Sequence, residues 1–333
     1  MPQVKTNQFP LVSICIANYN KAPYIKQCLD SILSVETYPN REIIIVDDCS
    51  TDDSISIIKD WIQAHWDKIS VKLNVNEKNS WPGHTYNQAV KFSTWTYITF
   101  MDSDDFFIEA TLQRKEAMFQ KNHNLKLVYG NWVFFENWIF SDTTIHYGIE
   151  KLFDSYEYGP HLILQNIYCK VPLLSLSTML IKKDFLLTTW CFDEKILSND
   201  WILNIKIFQK LHTSNEFSID IMPAFAYRIY DNNISKNYDK VLILLSQVIQ
   251  NYCPKDLQKI GYSNIYFTNA LSNLSIGKYK KSFSSFFSSV NYRFDFKKIA
   301  IFCLALLVPH KILNLLPKKL LNKTKSIILR FFQ

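Results

Sequence analysis

The chain has 333 residues, of which 48% are hydrophobic and 20% charged; this balance is typical of a folded protein and excludes a chain that is disordered throughout. The length allows one large domain with an appendage, or two domains. The net charge of +7 is unevenly distributed, because residues 296–333 contain eight Lys and Arg and no Asp or Glu. The rest of the chain has 29 basic and 30 acidic residues, a net charge of −1. We therefore expect an anionic partner at the C-terminal end.

The cysteines and the N-terminal residues indicate a compartment. The seven cysteines are scattered, with neither a zinc-binding spacing nor a disulfide framework, which is typical of a reducing environment. The first residues lack the pattern of a signal peptide, and the longest apolar run, at 299–308, is too short to span a bilayer. These features predict a cytoplasmic protein.

Strand and helix patterns alternate over the first hundred residues. Short apolar runs predict buried strands at 11–17, 42–46, 71–75 and 97–101, and helical spacing of apolar residues follows the first two. This order predicts an α/β fold, Rossmann-like, with a mostly parallel sheet flanked by helices. Ligands of such sheets bind at the carboxyl ends of the strands. Polar clusters follow three of the predicted strands, at 18–20, 47–48 and 102–105.

The later patterns are less regular. Strands are predicted at 125–136, 176–181 and 221–230, and a helix begins at Asp200, whereas 137–175 has no assignable pattern. Beyond residue 239 the spacing is helical. We therefore expect a domain boundary near residue 240.

Three acidic residues follow the fourth predicted strand, in the segment MDSDDFF at 101–107. Such a cluster is unfavourable unless a cation neutralises it, and its oxygens suit Mg²⁺ or Mn²⁺, which bind through one or two carboxylates and diphosphate oxygens. Two structural alternatives remain: Asp105 could cap the next helix, or the acids could be solvated. The residues alone leave these interpretations open.

A second acidic segment, IIIVDDCSTDDS at 43–54, follows the second predicted strand. An acid at a strand end can accept hydrogen bonds from a base or a ribose, and Asp48 is the better placed candidate. Asp52 and Asp53 are better explained as a solvated turn and a helix cap. Neither G-x-G-x-x-G nor G-x-x-x-x-G-K-[ST] occurs, which disfavours dinucleotides and P-loop nucleotides.

Four segments in chain order resemble the family 2 glycosyltransferases of GT-A fold: VSICIANYNKAPYIKQCLDSIL, IIIVDDCSTDDS, NSWPGHTYNQAV and YITFMDSDD. The resemblance covers about residues 10–110 and continues more weakly to about 236 through STMLIKKDFL, CFDEKILSNDWILN and AYRIYDNNIS. It implies inverting transfer of a sugar from a nucleotide donor, often UDP-linked, to an acceptor hydroxyl. The expected domains are then a GT-A domain at 1–240, with a nucleotide-sugar-binding half at 1–105 and an acceptor half at 106–240, and a helical C-terminal region at 241–333.

The resemblance also implies roles for individual residues. Its nucleotide-sugar-binding positions are Ala17 and Tyr19 beside the uridine, Asp48 at the base, Asp102 near the ribose and diphosphate, and also Asn87 and Ser103. Asp104 and Asp102 would bind the metal, Mn²⁺ or Mg²⁺. Asp200 would be the general base that deprotonates the acceptor hydroxyl. Taken without the resemblance, Asp200 is as well explained as a helix N-cap.

Two positions near the expected site depart from the family pattern. Asn199 stands where the family commonly has Glu, which removes one negative charge beside Asp200 and is expected to lower the pKa of Asp200. Tyr86 stands where the family often has Arg, so donor recognition is expected to differ in detail. Arg228 could pair with a phosphate or with a core acid. Because the Q-x-x-R-W pattern of processive synthases is absent, we expect transfer of a single sugar.

Residues 296–333 combine the apolar run with basic residues among Leu, Ile and Phe at helical spacing. A basic amphipathic helix of this kind can lie on an anionic membrane surface. The alternative is a helix docked on the catalytic domain with a solvated basic face. We expect peripheral binding at the inner face of the cell membrane.

Three functional classes follow from these features. The first is a metal-dependent glycosyltransferase that acts on a glycan or lipid-linked glycan in surface polysaccharide assembly. The second, suggested by Asn199, is a catalytically weak sugar-nucleotide-binding protein. The third, a nucleic-acid binder, is disfavoured because the basic residues are confined to one apolar-rich end and no RNA-binding motif occurs.

Overall fold

The structure is a computed structural model that describes residues 9–94, 96–140, 159–170, 174–197, 199–231 and 233–307. The chain divides into two compact units. The α/β unit comprises residues 1–161 and 173–229, and the helical unit comprises 162–172 and 230–333. This division lies earlier in the chain than the boundary expected near 240, and it groups 162–172 with the C-terminal residues.

The α/β unit begins with the predicted alternation of strands and helices. Its first strands are β1 (Val12–Asn18), β2 (Arg41–Asp47), β3 (Ser70–Val75) and β4 (Tyr97–Asp102). The helices between them are α1 (Ala22–Ser34), α2 (Ser54–His65) and α3 (Trp81–Phe92). These strands pair in parallel in the order β3-β2-β1-β4. Strands β1, β2 and β4 are almost entirely buried, which explains their continuous apolar runs.

The rest of the sheet is mostly antiparallel. Its strands are β5 (Phe106–Phe107), β6 (Leu127–Glu136), β7 (Ile139–Phe140), β8 (Leu180–Lys182) and β9 (Phe217–Ile229). The helices along this stretch of the chain are α4 (Leu112–Lys121), α5 (Gly159–Cys169), α6 (Lys183–Thr188) and α7 (Asn199–Lys210). The strand order is β3-β2-β1-β4-β8-β6-β9-β5, with β7 beside β6. The predicted α/β class is confirmed, and among the described strands the parallel pairs are those of β1 to β4 and the pair β6–β9.

Two predicted strands differ from the observed ones. The first half of the strand predicted at 176–181 is wrong, because Leu176–Thr178 form a 3-10 turn. Thr178 Oγ1 donates a hydrogen bond of 2.8 Å to the Ser175 carbonyl, so local hydrogen bonds replace strand pairing. Strand β9 begins earlier than predicted and contains Pro223 at a register shift against β6, a position that tolerates a residue without an N–H.

The helical unit follows the pattern predicted beyond residue 239. Its helices are α8 (Tyr238–Tyr252), α9 (Lys255–Ser275), α10 (Tyr279–Tyr292) and α11 (Phe296–Leu307), and it also contains residues 162–169 of α5. Its apolar core contains Phe267, Ala270, Leu274, Phe286 and Phe302. The rings of Phe286 and Phe302 stack with their centroids 4.0 Å apart, so α11 is part of this core. The basic tail expected from residue 296 therefore begins with a core helix, and its remainder, 308–333, lies outside the described residues.

Helix α11 also exposes apolar side chains. Phe296 is 78% exposed and Leu304 61%, whereas Phe302 is 1% exposed. Lys297 is exposed on the same helix. Within the described ranges, none of the helices combines the length and the apolar character that crossing a membrane requires.

Candidate functional site

The polar residues that follow β1, β2 and β4 meet at one edge of the sheet. The parallel register pairs Ala17 with Val46 on one side and with Asp102 on the other. Asp48 follows the last residue of β2, and Tyr19, which follows β1, is 42% exposed. The structure therefore brings Ala17, Asp48 and Asp102 together, as expected for the carboxyl ends of parallel strands.

The loop after β1 is held by the loop after β2. Asn20 has a left-handed φ of 52°. Its Oδ1 accepts a hydrogen bond of 2.8 Å from the backbone of Thr51, and its backbone N–H donates to Ser50 Oγ at 2.8 Å. Asp52 Oδ2 accepts the backbone N–H of Ala22, the first residue of α1, at 2.9 Å. Asp52 therefore has a structural role, in which it connects the two loops.

The two acids after β2 have different partners. Asp47 is fully buried and accepts a hydrogen bond of 2.6 Å from Asn18 Nδ2. Asp48 is 3% exposed, and its Oδ1 accepts from Asn76 Nδ2 at 2.8 Å and from the backbone of Ser80 at 2.9 Å. Its Oδ2 makes no hydrogen bond with the described part of the chain. The contact of Asp48 with a base or a ribose stays a prediction.

The acid turn, residues 102–105, is closed by a hydrogen bond of 3.1 Å from the Asp105 N–H to the Asp102 carbonyl. Asp105 is 2% exposed and accepts the backbone N–H of Arg228 at 2.8 Å. Burial, and then the charge of Asp104, raise the pKa of Asp105 well above its usual range. Helix α4 begins only at Leu112, so the interpretation of Asp105 as a helix cap is wrong.

Asp102 and Asp104 are the other carboxylates of the acid turn. The Tyr86 hydroxyl donates a hydrogen bond of 2.6 Å to Asp102 Oδ1, and Lys21 Nζ lies 2.6 Å from Asp104 Oδ2. Two effects raise the pKa of Asp102 to about 6: first desolvation by the surrounding protein, and then repulsion from the charge of Asp104. Asp102 is exposed by its accessible surface, so we attribute the raised pKa more to the neighbouring charge than to burial.

The acid turn fits a divalent cation that is bound together with a diphosphate. Among the described residues, no group of three or more His, Cys, Asp or Glu is arranged to hold a metal. Mg²⁺ that is bound with a substrate phosphate takes only one or two carboxylates from the protein. The negative charge of Asp104 raises the pKa of Asp102 and of Asp105, and a bound cation would offset that charge. Asp104 and Asp102 are the residues that would hold Mn²⁺ or Mg²⁺.

Asp200 lies in the first turn of α7. Desolvation by the surrounding protein, and then repulsion from the charge of Asp102, raise the pKa of Asp200 to about 7. A hydrogen bond from the Leu176 backbone N–H acts in the opposite direction. The accessible surface of Asp200 is exposed, so the proximity of Asp102 is the more informative cause. The pKa of Asp200 is raised although Asn199 supplies no charge, and the lowering expected relative to a chain with Glu at position 199 stays a prediction. A carboxylate with a pKa near neutrality is suited to accept a proton from a substrate.

Helix α3 packs against the loop that precedes α7. Asn87 Nδ2 donates to Glu194 Oε1 at 2.8 Å and to the Phe192 carbonyl at 3.1 Å, and Asn87 Oδ1 accepts the Phe192 N–H at 3.0 Å. These bonds show that Asn87 holds the loop, and its contact with a nucleotide stays a prediction. Gly83 allows the close approach, because a Cβ there would lie 2.5 Å from the Asp193 carbonyl oxygen.

The side chain of Arg228 supports the acid turn by a hydrogen bond to the backbone of that turn. Its Nε donates to the Asp104 carbonyl at 2.7 Å, and one of its terminal nitrogens donates to Gln27 Oε1 at 2.6 Å. Arg228 is 8% exposed, which is the environment of a structural residue. Ser103 is 2% exposed, and its role toward a donor stays a prediction.

Sequence reasoning missed two partners of the acid turn. Lys21 bonds to Asp104 across 83 residues of chain, and Tyr86 bonds to Asp102 across 16. No local pattern signals either contact. Tyr86 was noticeable only as a departure from the family, and Lys21 carried no signal at all.

Known proteins share parts of this sequence and its fold. The family model of glycosyl transferase family 2 matches residues 13–186. WfgD of Escherichia coli, a UDP-Glc:alpha-D-GlcNAc-diphosphoundecaprenol beta-1,3-glucosyltransferase, is 32% identical over 127 residues, which are 38% of this chain and 47% of WfgD. This chain thus spans about half the length of that relative.

Two solved structures have the same architecture. Residues 1–349 of TarS from Staphylococcus aureus, in complex with UDP-GlcNAc, match with a TM-score of 0.58 and 17% identity, over 90% of this chain and 88% of that one. The mannosyltransferase PcManGT from Pyrobaculum calidifontis, in complex with GDP-Man and Mn²⁺, matches with a TM-score of 0.58 and 16% identity, over 91% and 82%. At these identities the likeness concerns the fold, which is the expected GT-A fold.

Proposed function

Because this chain belongs to glycosyltransferase family 2, we propose that it transfers one sugar from a UDP-sugar to a hydroxyl of a glycan or lipid-linked glycan, with inversion, in surface polysaccharide assembly. The observation that carries this proposal is that α3 contacts both the acid turn and the start of α7: Tyr86 bonds to Asp102 at 2.6 Å, and a Cβ on Gly83 would lie 3.0 Å from Asn199 Oδ1. The charge of Asp102 accordingly raises the pKa of the neighbouring Asp200. The donor and acceptor in the name of WfgD, and the UDP-GlcNAc bound by TarS, support a UDP-sugar and a lipid-linked glycan.

The donor would lie at the carboxyl edge of β1, β2 and β4. Asp48 Oδ2 would accept a hydrogen bond from the base, since Oδ1 already bonds to Asn76 and Ser80. Tyr19 offers an exposed ring to the uridine, next to the backbone of Ala17. The two loops that carry these residues are bonded to each other, so the donor would meet a preformed surface.

Asp104 and Asp102 would hold Mn²⁺ or Mg²⁺, and the bound cation would stabilise the charge that develops on the leaving nucleoside diphosphate. The hydrogen bond from Tyr86 fixes the orientation of Asp102. The Mn²⁺ in PcManGT supports a divalent cation in this fold.

Asp200 would act as the general base. Its carboxylate accepts the proton of the acceptor hydroxyl while that oxygen forms a bond to the anomeric carbon. The bond from the anomeric carbon to the diphosphate breaks on the opposite face, and its electron pair leaves with the diphosphate. This single displacement inverts the anomeric carbon.

We also propose a peripheral location at the inner face of the cell membrane. Helix α11 exposes Phe296, Leu304 and Lys297, and the sequence beyond it is rich in Lys and Leu. Exposed apolar residues among basic ones suit an anionic lipid surface.

The test of the metal site is Asp104→Asn, with Asp53→Asn as the matched control because Asp53 is an exposed acid outside the acid turn. We expect Asp104→Asn to lose the Mn²⁺-dependent part of UDP-sugar binding in calorimetry while it retains its fold by circular dichroism. Asp53→Asn should bind the donor as the wild type does. Wild-type donor affinity in Asp104→Asn at saturating MnCl₂ would contradict the assignment.

A further inference from the structure

Lys21 and Asp104 form an ion pair at the proposed metal site. The Nζ–Oδ2 distance is 2.6 Å, and the side chains of Lys21 and Asp104 are 26% and 13% exposed. This pair differs from an ordinary surface pair such as Lys26–Asp30, whose side chains are 67% and 42% exposed. Partial shielding from solvent makes the attraction between Lys21 and Asp104 stronger than that of a surface pair.

The backbone of Lys21 is fixed in position. Its N–H donates to Ser54 Oγ at 2.9 Å. The N–H groups of its two neighbours, Asn20 and Ala22, donate to Ser50 Oγ and Asp52 Oδ2 at 2.8 and 2.9 Å. The Lys21 side chain can therefore move only by changing its rotamer, so it stays within reach of the acid turn.

The ammonium group of Lys21 and a divalent cation would compete for Asp104. Oδ2 of Asp104 is within hydrogen-bonding distance of Nζ, and a metal bound to that oxygen would lie against a positive charge. Binding of the metal therefore requires the ammonium to move away. A diphosphate that arrives with the metal would offer the displaced ammonium another anionic partner.

We propose that Lys21 is an internal competitor for the metal: it neutralises Asp104 before the donor binds, keeps the affinity for the metal alone low, and turns to the diphosphate when metal and nucleotide bind together. This inference rests on the proposed function, because it takes the acid turn as the metal site. It makes metal and nucleotide binding mutually dependent, and such a coupling is reciprocal. Lys21 is thus a positioning residue that favours binding of the metal–nucleotide complex over binding of the metal alone.

The test is a titration of MnCl₂, followed by electron paramagnetic resonance of free Mn²⁺, with and without UDP. We expect Lys21→Met to bind Mn²⁺ alone about tenfold more tightly than the wild type, because a positive charge beside the metal is removed. UDP should then improve Mn²⁺ affinity about tenfold less than it does in the wild type. Lys26→Met, in the helix that begins directly after Lys21, should match the wild type, and Lys21→Arg should keep the low affinity for Mn²⁺ alone.

Each outcome decides between the two proposals. If Lys21→Met, folded by circular dichroism, binds Mn²⁺ alone no more tightly than the wild type, the competitor role is wrong. If Asp104→Asn binds Mn²⁺ as tightly as the wild type, the metal site itself is wrong, whatever Lys21→Met does. Loss of Mn²⁺ binding in Asp104→Asn without a gain in Lys21→Met would leave the proposed function intact and overturn only the role of Lys21.

Discussion

The two units of this chain carry opposite charges. The α/β unit has 20 Lys and Arg and 26 Asp and Glu, a net charge of −6, whereas the helical unit has 17 and 4, a net charge of +13. The total of +7 is thus the difference between an acidic and a basic region. The sequence alone indicates an excess of basic residues at 296–333. The structure shows that the whole helical unit, which also contains 162–172 and 230–295, is basic.

The two units also use buried polar residues differently. The α/β unit buries Asp105 and places Asp102 and Asp104 beside it in one turn. The helical unit buries neutral hydroxyls, of which Ser263 and Ser289 are fully buried and bonded to each other. Because a buried charge is unfavourable without a partner, this cluster of acids is the place in the α/β unit where we propose that a cation binds.

The largest effect is expected in the α/β unit, from Asp200→Asn. Loss of a general base should lower turnover on the order of 10²–10⁴-fold while donor binding is retained. All eight tryptophans lie between residues 61 and 201, so tryptophan emission reports on the unfolding of this unit alone. Asp184→Asn, which changes the first-turn acid of α6, is the matched control and should keep normal turnover. Near-normal turnover with a lowered melting temperature in Asp200→Asn would instead support a structural role for Asp200 in the first turn of α7. The helix begins at Asn199, so Asp200 lies inside it and the N-cap interpretation is wrong.

The charge of the helical unit leads to the next largest effect. A chain that ends at Leu307 loses six of the eight basic residues of 296–333 and retains Phe302 in the core. At about 1 kcal/mol for each basic residue near the surface, its affinity for anionic vesicles should fall by on the order of 100-fold or more. Flotation at low and high salt measures this change, and neutral vesicles are the control. If the full chain ignores anionic vesicles, the membrane proposal is wrong.

The first half of the α/β unit could be predicted because its signals are local. Strands β1, β2 and β4 are buried, so each is a continuous apolar run that ends where polar residues begin. Parallel pairing then brings the strand ends together, so chain order alone placed Ala17, Asp48 and Asp102 at one edge.

Contacts between distant segments could not be predicted in this way. Lys21 meets Asp104 across 83 residues, and Asn87 meets Glu194 across 107. The spacing of apolar residues around each partner gives no information about the other partner, so no local sequence pattern predicts these pairs. The turn at Leu176–Thr178 was missed for a related reason, since its hydroxyl hydrogen bonds leave the apolar pattern of a strand unchanged.

The pH dependence of the rate is expected to be a smaller effect that also belongs to the α/β unit. Because the pKa of Asp200 is raised to about 7, the carboxylate is protonated at lower pH and cannot accept a proton. The rate constant kcat/KM for the acceptor should therefore rise about tenfold per pH unit below about 7 and level off above it. A rate that stays constant down to pH 5 would contradict the role of Asp200.

The smallest effect concerns Lys298, a partly buried cation in the helical unit. Its Nζ donates to Ser263 Oγ at 2.7 Å, at the serine pair that joins α9 and α10. Burial lowers the pKa of Lys298 to about 8, against the opposing charge of Asp295. Between pH 8 and the usual lysine value of 10.5, the folded state has lost this proton and the unfolded state still binds it. Lys298 therefore contributes an increase in the free energy of unfolding with pH across this interval.

We expect this increase to be about 1 kcal/mol, because partial exposure screens the charge. Lys298→Met should abolish it, since methionine has no proton to lose, and Lys297→Met should retain it because Lys297 is exposed. Hydrogen exchange of peptides from 255–307, measured at pH 8 and pH 10, reports the stability of the helical unit separately from that of the α/β unit, which contains all the tryptophans. Equal pH dependence in Lys298→Met and Lys297→Met would mean that Lys298 is solvated as an ordinary surface lysine. The helical unit would then hold its charges entirely on its surface, and its contrast with the acid turn of the α/β unit would be sharper.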